Sequence, residues 1–329
     1  MSAPRDQGAA LLSVLLLISI MSVAAVAVTE VVAQSAARSK AADDRSRANW
    51  YLIGAEELGK VALTDLVEET GGNLTPAVTQ RFAQPFVFEA EGGVIQARLR
   101  DATNCFNLNS LQTNAEDLED EDTAGATPIS RYRILLEQVG FSGSEARALA
   151  DAAADWVDTD TITRLSGAED AFYSSRRPPH RAPGRLFADI TELRAVRGYE
   201  RRVVAALDGL VCVRPDTANA VLNLNTLTID DAPLLSMALT GLVSSEAARV
   251  LIEERPEGGW PDVATFLEER DVAEIAPGRR REDLMDIVSK RFELSGAAAY
   301  RDGLARFRVL YAVEEGRPVE IIQRTYGEF

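Results

Sequence analysis

The chain has one histidine, two cysteines and far fewer cations than anions among its 329 residues. The lone His180 stands in the Pro-rich stretch "RRPPHRAPG" and reads as a solvated loop residue rather than a catalytic one. Lys plus Arg number 35 against 51 Asp plus Glu, a formal net charge of −16. Such a chain repels phosphate backbones, which argues against a nucleic-acid partner. No Gly-rich phosphate loop, Cys/His metal spacing or G-x-S-x-G elbow is present. The chain is therefore not read as an enzyme. From Ala9 to Thr29 charge of either sign is missing, within "AALLSVLLLISIMSVAAVAVTEVVA". That run is long enough to cross a bilayer as a helix.

Arg5 precedes the apolar run and Arg38, Lys40, Arg45 and Arg47 follow it, so basic residues alone do not settle its orientation. A secretory signal peptide and a plain signal anchor are two readings, although the apolar part of a signal peptide is normally shorter. A third starts from Gly8. The leader "MSAPRDQG" resembles the type III leader of type IV pilins and pseudopilins. That resemblance implies a cut between Gly8 and Ala9 by a prepilin peptidase, then methylation of the new amine. Most of these proteins carry Glu at the fifth mature position, where this chain has Ser13. A carboxylate in lipid is costly unless paired, and the family pairs it with a neighbouring subunit's amine. K-type minor pseudopilins are known for lacking it.

Beyond the apolar run, Tyr51, Ala55, Leu58, Ala62 and Leu66 recur at steps of three or four and predict one apolar helix face. This face is expected to be the main contact with partner subunits. Gly71-Gly72 ends the helix. "PFVFEAEGGVIQARLRDA" alternates on both sides of Gly92-Gly93, which predicts a hairpin. The C-terminus alternates likewise in segments parted by Asp302-Gly303 and Gly316-Arg317-Pro318. Between the two strand sets the chain reads as helices joined by turns. The fold class is α+β: a pilin-like long N-terminal helix on an antiparallel sheet, with a large helical domain inserted between strands. The expected divisions are a leader (1–8), a membrane part (9–33) and an outer part (34–70) of one helix, and first strands (71–100). The inserted domain follows (101–290, repeats near 101–212 and 213–290), then C-terminal strands (291–329).

The insertion contains a duplication. "CFNLNSL" at 105–111 matches "VLNLNTL" at 221–227, "GFSGSEA" at 140–146 matches "GLVSSEA" at 241–247, and "FADITEL" at 187–193 matches "WPDVATF" at 260–266. Three matches in one order mark a repeat, with offsets of 116, 101 and 73 residues. The first copy therefore holds two extra stretches, one including "EDLEDEDTAGATP" and one including "DWVDTDTITRLSGAEDAFYSSRRPPHRAPG". Each unit reads as small helices with tight Gly turns, SAM-like or helix-hairpin-helix-like. Glu145 and Glu246 on the hairpins, without a basic cluster, favour protein over DNA. Asn107 and Asn223 are read as structural capping residues.

The Gly8 leader, Ser13, "CFNLNSL", "DWVDTD…GAEDAFY", "FADITELRAVRGY" and "LNLNTL" together resemble the general secretion pathway protein K family. These are the K-type minor pseudopilins of bacterial type II secretion, and the likeness covers nearly the whole chain. It implies a structural subunit that caps a short pseudopilus with I- and J-type minor pseudopilins, helping to start its assembly and protein export. It also implies an inner-membrane helix and a periplasmic body. Cys105 stands at the start of the first unit and Cys212 at its end, so a disulfide between them would close that unit at its neck. In an oxidising periplasm this reading is preferred to two buried thiols.

The family is also known to bind calcium, for which Asp155, Asp158, Asp160, Glu169 and Asp170 are the candidates. Asp158, Asp160 and Glu169 fall at positions 1, 3 and 12 of an EF-hand count, but Ile162 and Thr163 break that pattern. A solvated acidic loop is the alternative, and for Glu116–Asp122 it is preferred. A membrane-tethered helix-hairpin-helix DNA-uptake protein, or another minor pilin-like protein, is the alternative function.

Overall fold

The computed structural model describes residues 6–75, 78–79, 84–113, 125–314 and 316–327. Helix α1 (Asp6–Thr70) runs without a break through 65 residues, about 98 Å at 1.5 Å per residue. Its first half exposes a mainly apolar run without a charged side chain from Ala10 to Thr29, long enough to cross a bilayer. Gly71 and Gly72, at φ 64° and 78°, end the helix in the left-handed region that favours glycine.

The second half of α1 packs on one face of a five-stranded antiparallel sheet, in the order β1-β2-β7-β8-β9. The strands are β1 (Phe86–Ala90), β2 (Gly93–Asp101), β7 (Arg291–Tyr300), β8 (Gly303–Ala312) and β9 (Glu320–Tyr326). Short hairpins link β1 to β2 and β7 to β8, with Ala90 opposite Gly93 and Tyr300 opposite Gly303. Leu52, Ala55, Leu63 and Leu66 interlock with Leu294, Phe307 and Val309 in this core. Gly59 permits the close approach, because a Cβ there would lie 2.6 Å from a Leu294 methyl. At the rim, Glu56 accepts hydrogen bonds from Arg324 at 2.9 Å and Tyr326 at 2.5 Å, tying β9 to the helix.

The helix contact corrects the expected partner face. Ala55 and Leu66 are buried against the chain's own sheet, and Tyr51 is half-buried with its hydroxyl donating to Glu91 O at 2.6 Å. Only Leu58 and Ala62 of the five remain outward. The stripe straddles the line where the helix touches the sheet, so most of it goes into the core. A neighbouring flank stays open, with Trp50 70%, Leu58 46% and Val61 58% exposed.

The inserted domain leaves from the end of β2 and returns at the start of β7, which are sheet neighbours. Gly303, at the other end of β7–β8, packs on Asp44 of α1, whereas Ser289 N donates to Gly72 O beyond its end. The domain therefore lies past the membrane-distal end of α1. It has a separate apolar core, with Tyr132, Trp156, Leu193, Leu234, Trp260 and Phe266 among its members. Its main helices are α2 (Pro128–Gln138), α3 (Gly143–Val157), α4 (Asp170–Ser174), α5 (Arg201–Ala206), α6 (Ala232–Ala238), α7 (Ser245–Glu253) and α8 (Val263–Leu267). Two short parallel pairings accompany them. Strand β3 (Phe106–Asn107) lies beside β4 (Val211–Cys212), and β5 (Leu222–Asn223) beside β6 (Met285–Asp286).

Candidate functional site

The duplication is visible as repeated hydrogen bonding. In the first unit Asn109 donates from Nδ2 to Phe187 O at 3.1 Å and accepts at Oδ1 from Phe187 N at 2.8 Å. In the second, Asn225 makes the same two bonds to Trp260, at 2.9 and 2.8 Å. The preceding Asn of each motif accepts from this Asn's amide, Asn107 at 3.2 Å and Asn223 at 2.9 Å. Asp189 and Asp262 then cap the short helical segments that follow. The middle match shifts by one residue. Ser142 caps α3 and Ser244 caps α7, so the structural offset there is one more than the Ser-Glu-Ala match gives. A cap must fall where the helix begins, and that outranks identity of the residues after it.

The two hairpins pack together through α2 and α6. Gln138 Oε1 accepts from Ser245 N at 2.9 Å, so part of the α7 terminus is already used within the domain. In the first unit's hairpin, Glu145 pairs with Arg202 of α5, within the same unit. These features suit internal packing rather than phosphate binding.

Where the domain meets the sheet, polar groups form a neck. Asp101 accepts from Ser289 Oγ at 2.7 Å and Thr226 Oγ1 at 2.5 Å. Asn104 Oδ1 accepts from Asn223 N at 2.8 Å and so joins the first unit to the second. Arg214 is buried and donates to the carbonyls of Ala102 and Thr103 at 3.1 and 2.9 Å. Burial, with Arg291 nearby, pushes its guanidinium down to about 10. The disulfide Cys105–Cys212 closes the neck, with the two Cα atoms 5.8 Å apart. The bond joins the residue just before β3 to the end of β4, as a closure of the first unit requires.

A second polar cluster lies at the end of α3. Asp155, Asp158 and Glu169 each bring a carboxylate oxygen to within 4.8 Å of the others, and all three are buried. Arg164 donates from Nη1 to Asp155 Oδ1 at 2.7 Å and to Asp158 Oδ2. Asp158 Oδ1 and Glu169 Oε1 are buried with no hydrogen-bond partner. Burial raises Asp155 to about 6 against the pull of Arg164, and burial with the neighbouring carboxylates raises Glu169 to about 7. A Cβ at Gly167 would collide with the Asp155 carboxylate, so the cluster closes only over glycine.

The remaining candidates turn elsewhere. Asp160 Oδ1 accepts from Ile162 N at 2.8 Å, and Asp170 Oδ1 accepts from Ala182 N at 3.0 Å. Asp151, one helical turn before Asp155 and not among the candidates, pairs with Arg133 at 2.7 Å. The acidic run 116–122 lies outside the described residues. Gly8 and Ala9 lie within the uncut α1. Sequence reasoning missed Arg164 and Arg214. The one signal for Arg164 was a single basic residue amid the second extra stretch's acids.

A membrane-length helix whose far half lies on an antiparallel sheet, with a bulky helical domain at its distal end, defines a minor pseudopilin. The comparisons agree. Family profiles described as "Type II secretion system (T2SS), protein K" match residues 104–216 and 222–284. The protein K of Pectobacterium carotovorum is 30% identical over 99% of this chain and 98% of its own. That of Klebsiella pneumoniae is 32% identical over 98% of this chain and 97% of its own. A chain of the crystal structure of the GspK-GspI-GspJ complex from enterotoxigenic Escherichia coli superposes with a TM-score of 0.74 at 25% identity. It covers 89% of this chain and all of that one. The chain belongs to the type II secretion system protein K family.

Proposed function

We propose that this subunit caps the pseudopilus in a complex with I- and J-type minor pseudopilins, helping to start its assembly. Its helix is anchored in the inner membrane and its body lies in the periplasm. One observation supports this most: the inserted domain, residues 102–290, lies past the distal end of α1, where a further subunit would have to stack. Ser13 adds to it, because it offers no carboxylate to another subunit's amine. The similar crystal structure is of a GspK-GspI-GspJ complex, and the open flank of Trp50, Leu58 and Val61 suits a partner's apolar helix. The leader is removed after Gly8 and Ala9 is methylated. We read the chain as a structural subunit and assign it no catalytic residue. Co-expression with both partners and a prepilin peptidase is expected to yield a one-to-one-to-one complex. Purification of this chain as a homopolymer under those conditions would contradict the proposal.

The same reading includes a calcium ion at Asp155, Asp158 and Glu169. Three buried carboxylates against one guanidinium, with two oxygens unpartnered, fit a hard divalent cation. Bound there, the ion would neutralise the cluster and fix the loop that follows α3. Loss of thermal stability on chelation, abolished by Asp158→Ala with Asp155→Ala, is the expected result. An unchanged melting temperature in EGTA would remove the ion from the account.

A further inference from the structure

We infer that Arg164 is a built-in counter-cation which a divalent ion must displace, so that this side chain sets the affinity of the carboxylate cluster. The inference rests on the reading of Asp155, Asp158 and Glu169 as a cation site. Arg164 Nη1 occupies one oxygen on each of two of the three carboxylates, Asp155 Oδ1 and Asp158 Oδ2. Its Nη2 is anchored on Thr113 O, and the residue is only 8% exposed. Guanidinium and metal are like charges drawn to the same carboxylates, so they compete for the cluster.

The resident pairing is incomplete on both sides. Arg164 Nε is buried without an acceptor, while Asp158 Oδ1 and Glu169 Oε1 are buried without a donor. A planar guanidinium directs its donors outward in a fixed fork and carries one charge. In this arrangement it bonds two of the three carboxylates, and its one charge cannot balance three of them. A divalent cation gathers six to eight oxygens around one point. Removing a partner from a buried charged pair is costly, and here each species would replace the other as the partner.

The segment that carries Arg164 can release the side chain while the backbone stays bound, Arg164 N donating to Asp155 Oδ2 at 3.3 Å and Ser166 N to Asp151 Oδ2 at 3.2 Å. Residues 159–166 form neither helix nor strand, and Ile162 and Leu165 are 49% and 92% exposed. Gly167, packed under the Asp155 carboxylate, follows this segment. Turning Arg164 outward would place its guanidinium in water beside Leu165, at the domain surface.

The test is calcium titration of the full chain in detergent micelles, by calorimetry and by thermal melting in EGTA and in CaCl2. Hydrogen bonds to charged groups contribute about 1.5–3 kcal/mol, or roughly ten- to a hundredfold in affinity. Arg164→Gln is expected to bind Ca²⁺ tighter by that factor. Its melting temperature should fall in EGTA and recover in CaCl2. Arg164→Lys, the milder change should Arg164→Gln fail to fold, is expected to bind tighter than the parent by a smaller factor. Parent-like or weaker binding by folded variants, with the parent itself binding, would overturn the role of Arg164 and leave the cation site standing. No calcium binding by the parent or either variant would overturn both.

Discussion

Asn225 holds Trp260 by both ends of its peptide group, and Asn109 holds Phe187 in the same way in the other unit. Each clamp joins the start of a unit to a segment 35 or 78 residues further along. Gly259, at φ 80°, makes room, since a Cβ there would lie 2.7 Å from the Asn225 side chain. Asn225→Ala would leave a buried amide and carbonyl unpaired, a loss of about 1–3 kcal/mol for such a group. Gly259→Ala should be destabilising as well, through both contact and backbone strain. Chemical denaturation checks this, and variants within 0.3 kcal/mol of the parent (about the limit of such comparisons) would show that the clamp contributes nothing.

Much of this arrangement was legible in the sequence, and for a physical reason. Alternation and helical period report which face is buried, so the five strands and the long helix followed from "PFVFEA", "GVIQARLRD" and the C-terminal segments. The repeat was legible because Asn109 and Asn225, and Asp189 and Asp262, make the same specific hydrogen bonds in each unit. The short pairings β3–β4 and β5–β6 were not, because a two-residue strand leaves no period to read. The partner face was misjudged because an apolar stripe marks burial without saying which surface buries it, and Ala55 and Leu66 turned inward. Arg164 was missed for another reason: a cation paired across a loop has no fixed spacing from its carboxylates.

The disulfide should contribute substantially to stability. Cys105 and Cys212 are 107 residues apart, and closing so long a loop restricts the unfolded chain by roughly 4–5 kcal/mol in the chain-entropy account. Cys105→Ala with Cys212→Ala is expected to lower the denaturation midpoint markedly, and the parent should show no alkylatable thiol until reduced. Two thiols alkylated in native protein from the periplasm would contradict the closed neck.

Acid should loosen the join between the units. Arg281 donates to Gly125 O at 2.9 Å and Ala126 O at 3.1 Å, and to Asp283 Oδ2 at 2.7 Å. The hydrogen bond from Arg281 holds the Asp283 carboxyl below its usual range. A carboxyl depressed in the folded state stabilises above its unfolded pKa, near 3.9, and that gain is lost as pH falls through the depressed value. The pair is partly exposed, so the effect is small. The slope of stability against pH below about 4 should be shallower for Asp283→Asn than for the parent. Identical slopes would remove Asp283 from the acid response.

The leader gives a covalent test. Co-expression with a prepilin peptidase is expected to remove Met1–Gly8 and leave Ala9, methylated, at the N-terminus. Gly8→Val should block the cut by crowding the scissile bond. Mass spectrometry reads the outcome, and a parent chain cut instead after Ala27 would indicate an ordinary signal peptide.

The central claim is a single terminal place on the fibre, and its most direct measurement is the position of this subunit on assembled pseudopili. Fibres grown with the full set of subunits and gold-labelled against the inserted domain should carry label at one end only. Label spread evenly along the shaft would contradict the account, because the distal domain would then not prevent stacking.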